Sequence, residues 1–321
     1  MKNTIFALFI WMITINSLCA SDVPDLLADL TLDSERTEVN LSEKELLTLP
    51  HEIHSFKNIT TLILSKNRFR GRLSTDICQL SSLTYLDVSH NYITIIPNEI
   101  GSLTHLIYLD ISHNMLHTIP VKFSRLTKLH TLYLHKNQLA SLISSFEFLA
   151  GLRILTLKNN NLTEFPPALL NLDKLGELDL SHNQIPNIPD RIVCMRALQK
   201  LFICSASLTF LPSGVFMMPA LEFLCLSDNH IREIYIGEIK AFKLRVLTLN
   251  NNHLYFISDK LSGLIALQFL DIRHNNVSTL PEDLTHKDGI SILKDNASTM
   301  EKTLSATSDW KKRRVGDSSS E

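Results

Sequence analysis

The chain has 321 residues, 45% hydrophobic and 20% charged, and its 31 basic residues against 33 acidic leave a formal charge of −2. That balance excludes a nucleic-acid binder working through a basic excess, and 9 glycines with 11 prolines exclude a collagen-like or low-complexity chain. Five widely spaced cysteines (Cys19, Cys78, Cys194, Cys204, Cys225) with no CxxC pair argue against a disulfide-stapled scaffold or a structural zinc module.

Residues 1–20 read as a secretory signal. Met1, Lys2 and Asn3 give a short positive start, and the apolar run from Ile5 to Ile15 is too short for the roughly 20 residues of a transmembrane helix. Small residues at Ser17, Cys19, Ala20 and Ser21 offer cleavage positions; Leu18 fits cleavage after Ala20 poorly, so cleavage after Cys19 or Ser21 stays open. Residues 21–35 follow as an N-terminal cap, because Val23, Leu26, Leu27 and Leu30 fall on one side of a helix. No later segment has a membrane-length apolar run, which leaves no integral membrane segment after signal removal.

Residues 36–288 repeat. Leucines recur every 23 residues from Leu83 to Leu267 with nothing inserted. Behind each comes an aliphatic at three and at five, usually Asn at eight and an aliphatic at ten, as in Leu106-Leu109-Ile111-Asn114-Leu116. Earlier copies open at Ile59 and, more weakly, near Arg36, making eleven repeats. Nine hold Asn at one phase (Asn67, Asn91, Asn114, Asn137, Asn160, Asn183, Asn229, Asn252, Asn275), and seven prolines share another (Pro50, Pro97, Pro120, Pro166, Pro189, Pro212, Pro281).

Alternation over the first half of each repeat predicts a short strand with one buried face. The Asn amide is placed to satisfy backbone groups of the following turn, where each unpaired buried group costs about 1–3 kcal/mol. Further aliphatics such as Ile100, Leu103, Phe123 and Leu126 close the core from behind. One repeat cannot bury its own apolar face, so the copies stack. Ala206 stands where Asn is expected, and that turn is expected to rely on Ser205, Ser207 or water and to be the weakest point of the stack.

These motifs identify the chain as a member of the leucine-rich repeat class over about residues 36–285. Segments such as Ile96-Pro97-Asn98-Glu99-Ile100-Gly101-Ser102-Leu103 resemble the 23-residue subtype of Ras-pathway and Scribble-like scaffolds and of bacterial leucine-rich repeat proteins. The resemblance implies an α/β fold, a curved horseshoe solenoid with a parallel concave β-sheet, short helical or irregular convex segments, and partner binding on the concave face. The cysteine clusters usual beside animal extracellular arrays are missing from this sequence. Beyond the repeats, Ile290, Leu293, Ala297, Met300 and Leu304 line one side of a helix, so residues 289–310 read as a C-terminal cap helix; 311–321 read as a disordered polar tail.

The register gives the candidate ligand-binding face. Tyr85, Tyr108, Phe223 and Phe269 stand two residues after their anchors, and Tyr133 and Phe202 two places further along their strands. Strand alternation keeps these positions out of the core, and Asp87 and Asp110 lie beside the tyrosines, suiting an apolar-plus-basic protein ligand. His90, His113, His182 and His274 each follow an Asp by three residues. Asp87, His90, Asp110 and His113 lie near enough across adjacent repeats to hold a metal, but solvated filler of a common Asp-Leu-Ser-His-Asn stretch is the reading taken, so neither metal nor cofactor is expected. Cys204 and Cys225 differ by 21 residues rather than 23, and nothing in the spacing supports a bridge between them. Five sequons (Asn40, Asn58, Asn161, Asn276, Asn296) are weak signals in so Asn-rich a repeat, and Lys311-Lys312-Arg313-Arg314 reads as solvated tail.

No GxSxG, HExxH or phosphate loop occurs. The expectation is therefore a non-enzymatic, secreted or exported solenoid binding a protein ligand. The alternatives are a cytoplasmic Ras-pathway-type scaffold and a bacterial secreted effector acting on host proteins.

Overall fold

The computed structural model describes residues 37–49 and 51–295. The expected signal, N-terminal cap and polar tail, with Pro50 and Asn296, lie outside the described residues.

Among the described residues, twelve three-residue strands, from Glu38–Asn40 to Ser291–Leu293, form one parallel sheet in chain order that does not close on itself. The register places Leu62 beside Leu86, Leu86 beside Leu109 and Leu109 beside Leu132, one repeat apart. The middle residue of each strand from Thr61–Ile63 to Phe269–Asp271 is fully buried. Its two neighbours point to the other face, as the period of two requires. A single core runs from Val39 to Leu284 behind the sheet.

The shared proline phase has a structural reason. Pro97, Pro120, Pro166, Pro189 and Pro212 precede 3₁₀ helices Asn98–Ser102, Val121–Arg125, Pro167–Asn171, Asp190–Cys194 and Ser213–Met217, with φ between −66° and −72°. The ring pre-sets that angle, and its missing N–H is not needed at a helix start. These helices close the core on the side away from the sheet, where the rings of Phe123 and Phe146 stack at 6.3 Å.

The asparagine ladder forms as the sequence predicts. In the repeat of Asn114, the amide nitrogen donates to the carbonyls of Val88 and Ile111, at 3.0 and 3.1 Å, while Oδ1 accepts from Ile93 N–H at 2.9 Å. Asn67, Asn91, Asn137, Asn160, Asn183, Asn229, Asn252 and Asn275 make the same bonds to their own and the preceding repeat. Each side chain thus stitches two copies together.

The residue before each ladder Asn carries a positive φ, among them His90 (53°), His113 (52°), His182 (56°) and His274 (55°). Asn, Asp and His tolerate this left-handed region better than most side chains. Its N–H donates to the next repeat, as His90 does to Ser112 at 3.0 Å. Turn geometry therefore accounts for the histidine column without a ligand.

Two expectations fail here. The cap helix expected over 289–310 is absent from its first turn: Ser291–Leu293 is a strand paired with Phe269–Asp271. The edge of the eleventh strand offers unpaired backbone groups, which Ser291 N–H to Gln268 O (2.8 Å) and Ile272 N–H to Leu293 O (2.9 Å) satisfy; a helix would leave them open. The remainder of that expected helix lies outside the described residues.

The turn at Ala206 is not left unpaired either. Ile185 N–H, which an asparagine at 206 would serve, donates to the Ala206 carbonyl at 2.7 Å. The Ile203 carbonyl accepts from Asn229 at 2.7 Å and the Cys204 carbonyl from His182 N–H at 2.8 Å. Backbone and the following asparagine, rather than Ser205, Ser207 or water, fill the gap. The chain makes room with a second left-handed residue, Ser207 (φ 66°), after Ser205 (53°).

Candidate ligand-binding face

The first and third residues of each strand point away from the core. Tyr85 and Tyr108 are register partners and their rings stack, centroids 4.1 Å apart and 4° from parallel. Tyr133 meets Tyr108 edge-on at 5.7 Å and 80°. A second row lies along the strand ends: His90 stacks on His113 at 3.7 Å, and His135 meets His113 edge-on at 5.2 Å and Tyr133 at 6.0 Å. Six rings from three consecutive repeats thereby make one aromatic patch. Edge-on and offset contacts of this kind hold rings in place with little loss of rotamer freedom left for a ligand to impose.

Burial is the main reason the Tyr85 and Tyr108 hydroxyls are pushed up from the ordinary tyrosine value, the Tyr108 one far up. The Asp87 and Asp110 carboxylates near them disfavour a further negative charge. Both rings are therefore neutral at any physiological pH. Asp87 and Asp110 also serve the backbone: one oxygen of each accepts from the N–H two residues on, Ser89 at 2.9 Å and Ser112 at 2.8 Å. Asp179 does the same, and Asp271 adds a 2.6 Å ion pair with Arg273. The recurring Asp is thus a turn-forming residue as well as a surface charge.

The other aromatics do not join this patch. Phe202 is only 5% exposed, contrary to the sequence expectation of an open concave position. It lies outside the core cluster and is covered on the sheet face itself, with Phe223 at 5.0 Å between ring centroids. Alternation keeps a side chain out of the core but does not keep its neighbours from covering it. Phe223 and Phe269 are half-buried, and the strand Val246–Thr248 runs between them. Strands Ile154–Thr156 and Glu177–Asp179 separate the tyrosine patch from the phenylalanine pair.

Beside that pair, Cys204 and Cys225 form a disulfide, their Cα atoms 6.1 Å apart. Cys225 is the register partner of Phe202, so Cys204, two residues further along the same strand line, sits diagonally across from it. A diagonal neighbour on one sheet face is 21 residues away in a 23-residue repeat, so the spacing that spoke against a bridge fits one. Also unforeseen are His135 in the aromatic patch and an exposed lateral pair, Tyr235 and Phe256, with centroids 5.4 Å apart. Among the described residues no helix is long and apolar enough to cross a membrane.

Stacked copies, an open parallel sheet and a side-chain ladder beneath it define a leucine-rich repeat solenoid. The chain belongs to the leucine-rich repeat family: the Leucine rich repeat model matches residues 81–139, 143–185 and 196–254, half of the sequence. Among solved structures it is similar to a TDR receptor, with 26% identity and a TM-score of 0.74 over 84% of this chain and 48% of that one. It is also similar to the leucine-rich repeat domain of APL1B (21%, TM-score 0.62, 82% and 83%) and to an internalin from Listeria monocytogenes (20%, 0.53, 82% and 87%). The chain covers about half the length of the TDR receptor. Comparison with the sequences of curated proteins finds no match.

Proposed function

We propose that the chain is an exported, non-enzymatic receptor-like solenoid that captures a protein or peptide ligand on the sheet face at Tyr85, Tyr108 and Tyr133. The observation that carries this reading is the Tyr85–Tyr108 stack with Tyr133 set edge-on beside it, a rigid aromatic platform flanked by Asp87 and Asp110. Flat neutral rings beside carboxylates suit a ligand that presents apolar groups and an Arg or Lys. The likeness to a TDR receptor supports ligand capture over catalysis. Export is supported by the short apolar run at the N-terminus and by the Cys204–Cys225 disulfide, a bond that persists in oxidising compartments.

The test is panning a random-peptide display library against the full chain and against Tyr85→Ala/Tyr108→Ala/Tyr133→Ala. Enrichment of apolar, Arg- or Lys-containing peptides by the first and not by the second is expected; peptides retained equally by both overturn the patch assignment. N-terminal sequencing of native protein should find a chain beginning between Ala20 and Asp22, and a start at Met1 or Lys2 overturns export.

A further inference from the structure

A different cluster lies on the back of the stack, away from the tyrosine face. His51 and His54 are three residues apart on the 3₁₀ helix His51–Ser55, a spacing that eclipses side chains on one side of such a helix. Asp76, at the start of the neighbouring helix Ile77–Gln79, faces them. His51 Nδ1 is 2.9 Å from Asp76 Oδ1, and the two imidazole centroids are 4.5 Å apart. One ligand atom from each of the three residues lies within 4.8 Å of the others.

We propose that His51, His54 and Asp76 form a binding site for a borderline divalent cation of the zinc type, joining the first two repeats. Two imidazole nitrogens and a carboxylate oxygen are a donor set such ions favour, whereas calcium and magnesium require mostly oxygen ligands. In a tetrahedral zinc site, ligand atoms lie about 3.4 Å apart. Rotation of the His51 ring, whose side chain is 73% exposed, closes the remaining distance and leaves a fourth position for water.

The supports behind the three donors are already in place. His54 Nδ1 faces the His51 carbonyl, which only accepts, so that nitrogen carries the proton and Nε2 keeps its lone pair. A ligating histidine is oriented by such a bond to a backbone carbonyl. The Asp76 carboxylate is fixed through its other oxygen, Oδ2, by the Ser74 hydroxyl at 3.0 Å, and Asp76 N–H returns a bond to Ser74 Oγ at 3.2 Å. His51 moves its lone pair, in place of its N–H, toward the ion.

Calorimetric titration of the chelator-treated full chain with zinc chloride tests the site. One zinc per chain is expected, with affinity falling at least tenfold in His54→Ala and in Asp76→Asn and binding lost in His51→Ala/His54→Ala, each variant verified as folded by circular dichroism. Cys194→Ser, which removes the exposed free thiol, should bind as the unaltered chain does. Cobalt(II) added to the unaltered protein should give a tetrahedral nitrogen–oxygen spectrum without thiolate charge transfer, a readout that needs no substitution. No binding by the unaltered chain, unchanged binding by the double variant, or a thiolate band that vanishes in Cys194→Ser overturns the proposal.

Discussion

The Asn229 side-chain oxygen accepts two backbone N–H groups of the preceding repeat, Ala206 and Leu208, each at 3.0 Å. Asn67 does the same for Lys44 (3.1 Å) and Leu46 (3.0 Å). Ala206 and Lys44 occupy the phase that holds Asn in the other nine repeats. In an intact turn the N–H at that phase instead reaches a backbone carbonyl, as Asn114 N–H reaches Lys136 O at 3.2 Å. A missing rung is therefore covered by its successor, and the load moves to Asn229.

Removing Asn229 should expose that load. Asn229→Ala strips partners from two buried N–H groups at once, whereas Asn160→Ala strips one, Leu139 N–H. At about 1–3 kcal/mol per orphaned group, Asn229→Ala is expected to be the more destabilising by that amount in urea denaturation. Ala206→Asn should bring no gain, since the groups it would serve are already paired. Amide exchange at 203–208 should match that at 157–162; faster exchange at 203–208 would show that the substitute bonds are weak.

The disulfide makes a separate prediction. Closing a 21-residue separation removes chain entropy from the unfolded state worth about 3 kcal/mol. Cys204→Ser/Cys225→Ser should lose up to that amount of stability, and reductant should lower the unaltered protein to the same level. Peptide mapping without reduction should recover the two cysteines as one cross-linked pair; finding both as free thiols would remove the bond and its support for export.

Gly151 and Gly176 should respond oppositely to one methyl group. A Cβ on Gly151 would lie 2.5 Å from the Thr127 carbonyl oxygen and 3.1 Å from that of Leu129, backbone atoms of the preceding repeat that cannot yield separately. Gly151→Ala should cost about 1–3 kcal/mol as overpacking. On Gly176 the nearest atom is 3.6 Å away, an ordinary contact, and Ala there should be neutral or stabilising by less than about 1 kcal/mol. Thermal melts of the two variants decide it.

The sheet and the ladder were legible because each repeats a physical demand: bury every strand centre, pair every turn; the prolines were visible as a shared phase, but their place ahead of the 3₁₀ helices was not. What was not legible depends on neighbours. Covering of Phe202 requires knowing that Phe223 sits beside it, and the Cys204–Cys225 pair needs the diagonal relation rather than the column. Ser291–Leu293 reads as helix by periodicity, yet an open sheet edge recruits it. Of the candidate face, Tyr85, Tyr108 and Tyr133 come together as expected, while Phe223 and Phe269 fall on strands separated by another.

The tyrosine stack also carries a pH signature whose sign follows from its burial. Burial, with Asp110 beside Tyr108, raises both hydroxyls above the unfolded value of about 10. Between the unfolded and folded values the native state keeps protons that the unfolded chain has released, so stability falls as pH rises there. The contribution is present in full below pH ~10 and is lost above it. In Tyr85→Phe/Tyr108→Phe no proton is at stake, so the urea midpoint should decline less steeply above that pH than in the unaltered chain. Absorbance titration of phenolate should show two tyrosines of the unaltered chain ionising only as the fold is lost. Parallel decline of the two proteins, with all tyrosines titrating before unfolding, would mean the Tyr85–Tyr108 pair is open to water and the platform is less rigid than its stacked rings imply.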